Sequence, residues 1–147
     1  MVAKRNHPEA DLSQALAEWL AYTHAHDNPK GLFSFMVPNE RSGNRKQQAI
    51  AAGAMLRMGL RPGVADWVFV WLDTDAVDAS KGGRGVPADW IEFDAIGIGF
   101  IELKAGSNKQ SDNQRTFQAE AEAFGLRYAV CRSLDECIET LTEWGAI

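Results

Sequence analysis

The chain predicts a mixed α/β fold, with a small mixed central sheet flanked by helices. Three observations carry this expectation. Helical and strand signals alternate along the whole length. The segments Val64–Leu72 and Ile96–Lys104 are apolar runs rich in β-branched and aromatic residues. Polar start signals at Asn6, Ser111 and Ser133 each precede an apolar stripe at helical spacing.

Taken in order, Asn6-His7-Pro8-Glu9 reads as a helix start. Asn6 is the N-cap, Pro8 sits in the first turn, and Glu9 holds the capping-box position. Leu12, Leu16, Trp19 and Leu20 then form the apolar stripe, with Glu9 on it and Asp11 off it. Gly31 opens a short strand over Leu32–Val37, and Asn39–Asn44 is a polar turn. Lys46–Met58 is alanine-rich and stopped by Gly59, which predicts a helix. Pro62-Gly63 marks a turn before the strand Val64–Leu72, with Asp66 near its beginning.

Residues 73–88 are loop-like, Trp90–Phe93 reads as a short strand and Ile96–Lys104 as a longer one. Ser111 caps a helix to about Phe124, with Gly125 as its stop. Arg127–Cys131 is a strand, and Ser133 with Glu136 forms a capping box for a last helix ending near Trp144-Gly145. The expected order is helix, strand, helix, strand, strand, helix, strand, helix.

A length of 147 residues predicts one domain spanning 1–147, with enough chain for a true core. The 46% apolar and 24% charged residues are those of a soluble globular protein. No apolar stretch reaches membrane-spanning length and no signal peptide is visible, so a cytoplasmic location and no membrane partner are expected. The net charge of −5 argues against a protein that coats nucleic acid nonspecifically, because such binding rests on cationic surface. Local basic patches remain: Arg41, Arg45, Lys46, Arg57 and Arg61 in one segment, Lys104, Lys109 and Arg115 in another. Cys131 and Cys137 read as small core residues, and His7, His24 and His26 lack the spaced partners of a zinc site.

The functional signal is Ile98-Gly99-Phe100-Ile101-Glu102-Leu103-Lys104. Alternation puts Glu102 and Lys104 on one face of a strand and Ile101 and Leu103 on the other. An acid and a base at the end of a buried strand are costly unless they pair or bind something. If the strand carrying Asp66 is the antiparallel neighbour, Asp66 and Glu102 converge. Two carboxylates at a sheet edge suit a hard cation such as Mg²⁺, and an ammonium beside them suits phosphodiester hydrolysis. Gln114 shares the stripe of Phe117, Ala121 and Phe124, so it faces the core and needs a polar partner, as does Glu9. Each has a plainer reading: Glu102 and Lys104 as an ion pair, and Glu9 and Gln114 as capping-box partners of Asn6 and Ser111.

Asp66 followed by Glu102-Leu103-Lys104 resembles the PD-(D/E)xK nuclease signature. More narrowly, the chain is similar to the VRR-NUC family, especially its short stand-alone, phage-type members. The similarity runs through Pro8-Glu9 to Leu16, Phe35 to Asn39, and Gly59 to Asp66. It continues through Phe100 to Lys104, Ser111 to Gln114, Ala129 to Glu136, and Trp144-Gly145.

The resemblance implies a restriction-endonuclease-like fold and metal-dependent cleavage of DNA, with affinity to Holliday-junction resolvases. It further implies a Mg²⁺ or Mn²⁺ cofactor. A homodimer is a separate expectation, because cutting both strands of a junction needs two active sites and a symmetric pair supplies them. Carried over, Asp66, Glu102, Glu9 and the Leu103 carbonyl are metal ligands, Lys104 orients or activates the attacking water, and Gln114 completes the site.

Two departures stand out. Ala65 replaces the usual proline, and residues 73–95 form an insertion where a short hairpin is expected. Asp89, in Pro87-Ala88-Asp89, lies at a more usual distance before Glu102; Asp66 is preferred because the residues before it also match and a full strand follows. Asn39 and the Arg41–Lys46 run are read either as turn and solvated loop or as contacts to nucleic acid. Alternatives to a DNA nuclease are an RNA-cleaving enzyme and a non-catalytic nucleic-acid- or protein-binding module on the same fold.

Overall fold

The computed structural model describes residues 7–37, 61–73 and 96–147. The expected turn Asn39–Asn44, the helix Lys46–Met58, the strand Trp90–Phe93 and Asp89 all lie outside the described residues. Those residues form a mixed α/β fold of three helices and a four-stranded mixed sheet. The helices are α1 (Pro8–His26), α2 (Asp112–Ala123) and α3 (Leu134–Glu143); the strands are β1 (Phe33–Met36), β2 (Trp67–Leu72), β3 (Ile96–Leu103) and β4 (Arg127–Cys131). The sheet order is β1-β2-β3-β4, with β4 parallel to β3 and the other neighbours antiparallel. No helix among the described residues is long and apolar enough to cross a membrane.

Alternation in β2 decides the layers. Trp67, Phe69 and Trp71 are buried on one face, joined there by Ile101, Leu103 and Cys131. Leu16 and Leu20 of α1 and Cys137 and Leu141 of α3 close this core, so both cysteines are core residues. Phe100 and Tyr128 occupy the opposite face under α2, where Phe117 meets the Phe100 ring edge-on at 5.1 Å. Gly97 and Gly99 let two indoles lie against β3. A Cβ at Gly97 would enter the Trp71 ring, and one at Gly99 the Trp144 ring. Those two rings stack at 6.0 Å.

The helix starts correct the expected caps. The N-cap of α1 is His7, without a side-chain cap, and Asn6 is outside the described residues. At α2 the full capping box between Ser111 and Gln114 is present. At α3 Ser133 accepts from the Glu136 N–H, but Glu136 Oε2 accepts from the backbone of Arg132 rather than closing the box. Phe124 does not continue the buried stripe of Phe117 and Ala121; it lies beyond the helix and is 85% exposed.

Candidate metal centre

The β2–β3 register places Trp67 opposite Ile101. Asp66 precedes Trp67 and Glu102 follows Ile101, so the antiparallel pairing brings both to the same end of the ladder, at its last pair. Asp66 does not extend the strand. Its carbonyl accepts from the Val37 N–H at 2.7 Å, and its Oδ2 accepts from the Leu103 N–H at 2.8 Å. The carboxyl of Asp66 is thereby tied to the backbone between Glu102 and Lys104.

Gly63 makes this approach possible. Its φ of +79° suits glycine, and a Cβ there would collide with the Asn113 backbone at the start of α2. The turn that delivers Asp66 thus packs directly on the helix end that delivers Gln114.

Glu102 is 1% exposed and Lys104 9%. Lys104 Nζ lies 2.7 Å from Glu102 Oε1, so the ion pair expected of two same-face residues is formed. Gln114 Nε2 donates to the same oxygen, while Gln114 Oε1 accepts from the Ser111 N–H at 2.8 Å. The capping role and the contact to Glu102 are therefore performed together by the two ends of one amide. The second oxygen, Glu102 Oε2, is buried without a hydrogen-bond partner. Burial pushes the Glu102 carboxyl up to about 7. The Lys104 hydrogen bond opposes the rise, and the charges of Asp66 and Glu9 add to it.

Glu9 reaches the same edge from α1. Its Oε1 accepts from the Ala105 N–H and from Asn108 Nδ2, each at 3.1 Å. Burial raises its pKa, but these hydrogen bonds and the Lys104 charge outweigh that effect, and the carboxyl titrates below its ordinary value. All five residues implied by the resemblance, Glu9, Asp66, Glu102, Lys104 and Gln114, line one cleft of about 1100 Å³ between α1 and the start of α2. Asn108 and Gly63 were not singled out as functional from the sequence. Gly63 was visible there as a turn residue and as part of the Gly59–Asp66 segment that carries the resemblance, and Asn108 gave no signal.

Among the described residues no group of three or more His, Cys, Asp or Glu side chains converges as a metal-holding cluster. The donor set is smaller: Asp66 and Glu102 lie at the end of the β2–β3 ladder, and Glu9 reaches the same edge from α1. A hard cation that retains most of its waters needs no more than one or two carboxylates. The orphaned Oε2 of Glu102 is the atom in this structure that fits such an ion, because an anionic oxygen buried without a donor is otherwise uncompensated. No protein-family model, curated protein or solved structure matches the chain.

Proposed function

We propose that the chain is a Mg²⁺- or Mn²⁺-dependent endonuclease of the restriction-endonuclease-like class that hydrolyses phosphodiester bonds in DNA, with branched, Holliday-junction-like structures among its candidate substrates. The observation that carries this reading is the buried, partnerless Oε2 of Glu102 at the ladder end that also carries Asp66, with Lys104 on the other carboxylate oxygen. The ordered resemblance to VRR-NUC proteins supports the same reading, with a homodimer in the cytoplasm, that of the host if the chain is phage-encoded. A symmetric pair would supply the two sites needed to cut both strands of a junction. Light scattering that returns a monomer at working concentration would count against junction resolution.

In this reading Asp66, Glu102 and the Leu103 carbonyl hold the cation, with Glu9 as the further ligand implied by the resemblance. When bound, a divalent ion there lowers the pKa of water and offsets charge developing on the phosphate. The chain's own groups do the rest. Gln114 and Lys104 share Glu102 Oε1 and so fix the carboxyl plane, leaving Oε2 for the ion. Lys104 orients the attacking water, and its ammonium is a compact cation able to face the scissile phosphate. Asp66 is held at the Leu103 N–H, which keeps it beside Glu102 rather than in solvent.

The test is cleavage of branched, flapped, single-stranded and duplex DNA, and of an RNA hairpin, with Mg²⁺, Mn²⁺ or EDTA. Cutting with metal, lost in EDTA and in Lys104→Ala, is expected. No cutting of any substrate with either metal, or full activity of Lys104→Ala, would sink the proposal. Cutting confined to RNA would move the substrate class. The second reading, a non-catalytic binding module on this fold, is motivated by the acidic balance of the chain, a net charge of −5. Chelator-insensitive DNA binding without cleavage would select it.

A further inference from the structure

Arg132 is an exposed residue just after β4, yet it spends its whole guanidinium fork on a neighbouring loop. Because β3 and β4 are parallel, their carboxyl ends lie at the same sheet edge, so Arg132 stands beside the loop Ala105–Gln110 that leaves β3. Its Nη1 donates to the Gly106 carbonyl at 2.6 Å and its Nη2 to the Asn108 carbonyl at 3.0 Å. The loop's donors go the other way, with the Ala105 N–H and Asn108 Nδ2 both donating to Glu9 Oε1. Arg132 thus takes two of the loop's carbonyls while the Glu9 carboxylate takes the Ala105 N–H and the Asn108 amide; the Gln110 carbonyl accepts from Arg115 Nη1, and the Gln110 amide donates to Gln118 and Tyr128. The Arg132 and Glu9 contacts are both charge-assisted, and the Arg132 contact is a two-pronged one that a point charge cannot reproduce.

The loop has functional residues at both ends. Lys104 immediately precedes it, with its own N–H bonded to the Cys131 carbonyl at 3.0 Å, and Ser111 follows it as the cap that orients Gln114. Neither Arg132 nor the loop carbonyls it holds contributes to the cleft lining.

We infer that Arg132 is a positioning residue for the candidate centre. With Glu9 it clamps the Ala105–Gln110 loop from opposite sides, and the clamped loop keeps the Lys104 ammonium on Glu102. The inference rests on the nuclease reading for its catalytic consequence, but the clamp itself is measurable without any activity. A buried, hydrogen-bonded ammonium exchanges its protons slowly enough to give a ¹H–¹⁵N correlation signal. The full-length protein is expected to show that signal for Lys104 Nζ, assigned by its loss in Lys104→Met.

Arg132→Ala and Arg132→Gln are expected to abolish the Lys104 signal while circular dichroism stays that of wild type, and Arg132→Lys to retain part of it. On a labelled branched DNA with Mg²⁺, kcat in Arg132→Ala is expected to fall at least tenfold, with KM within twofold. An unchanged Lys104 signal in both Arg132→Ala and Arg132→Gln overturns the inference. So does a wild-type kcat in those variants when the wild-type enzyme cuts. If the wild type cuts nothing, the nuclease reading fails and the ammonium signal alone decides the clamp.

Discussion

The titration of Glu102 gives the sharpest quantitative expectation. Its folded value of about 7 lies above the ordinary 4.5, chiefly because burial disfavours the charged form. The metal-free folded protein therefore binds this proton more tightly than the unfolded chain does. The associated stability is fully present below pH 4.5 and is lost as pH rises through about 7. A displacement from 4.5 to about 7, at about 1.4 kcal/mol per pH unit, corresponds to about 3 kcal/mol.

Other groups titrate in the same range, so the comparison is with Glu102→Gln, which keeps the shape and removes the titration. Unfolding free energies from urea melts in EDTA, taken from pH 4 to pH 8, are subtracted pairwise. The constant offset, which includes the lost Lys104 partner, drops out of the pH dependence. Wild type minus Glu102→Gln should decline by about 3 kcal/mol across the window. Mg²⁺ should restore much of the wild-type stability at pH 8 and none of the variant's, because a ligand that binds only the folded state stabilises it. A difference that stays flat to within about 0.5 kcal/mol in EDTA would refute the view that Lys104 and Gln114 compensate the buried Glu102 carboxylate only in part.

Further expectations concern the elements that assemble the cleft. Gly63→Ala should cost roughly 2–3 kcal/mol in urea melts and abolish cleavage, because it strains a positive φ and drives a methyl into the Asn113 backbone. Gly99→Val should lower stability by a similar amount of about 2 kcal/mol by displacing Trp144, visible as a change in tryptophan fluorescence, with residual activity per folded molecule retained. Glu9→Gln should keep the fold but speed amide exchange at Ala105, since a neutral oxygen replaces a charged acceptor. Because the Glu9 carboxyl is held below its ordinary value, its contribution is present above pH 4.5 and fades as the pH falls below it.

Much of the described fold was legible locally. Trp67–Leu72 and Arg127–Cys131 carry strand chemistry that no competing signal opposes, and Ser111 with Gln114 forms the expected box. Two features were decided by partners distant in sequence, and a third by a neighbour four residues away. Val64 to Asp66 looked like the start of β2, but Asp66 turns its carboxyl onto the Leu103 N–H, and the paired strand begins at Trp67. Glu9 carried two readings, capping partner and site residue, and its Oε1 serves a loop 96 residues away in sequence. Glu136 was half of a capping box, and its other half went to Arg132.

By itself the sequence determined the strand parity that sets Glu102 and Lys104 on one face, and the apolar stripes that separate the two layers. Those follow from backbone geometry with periods of two and 3.6 residues, which are local properties. Only the tertiary structure decided that Asp66 and Glu102 share one end of the β2–β3 ladder and that Gln114 caps its helix and holds the carboxylate at once. It alone also decided that one oxygen of Glu102 is left buried without a partner. Those outcomes depend on strand register, on the close contact at Gly63 and on desolvation. Each arises only when segments far apart in the chain are brought together and water is removed from between them.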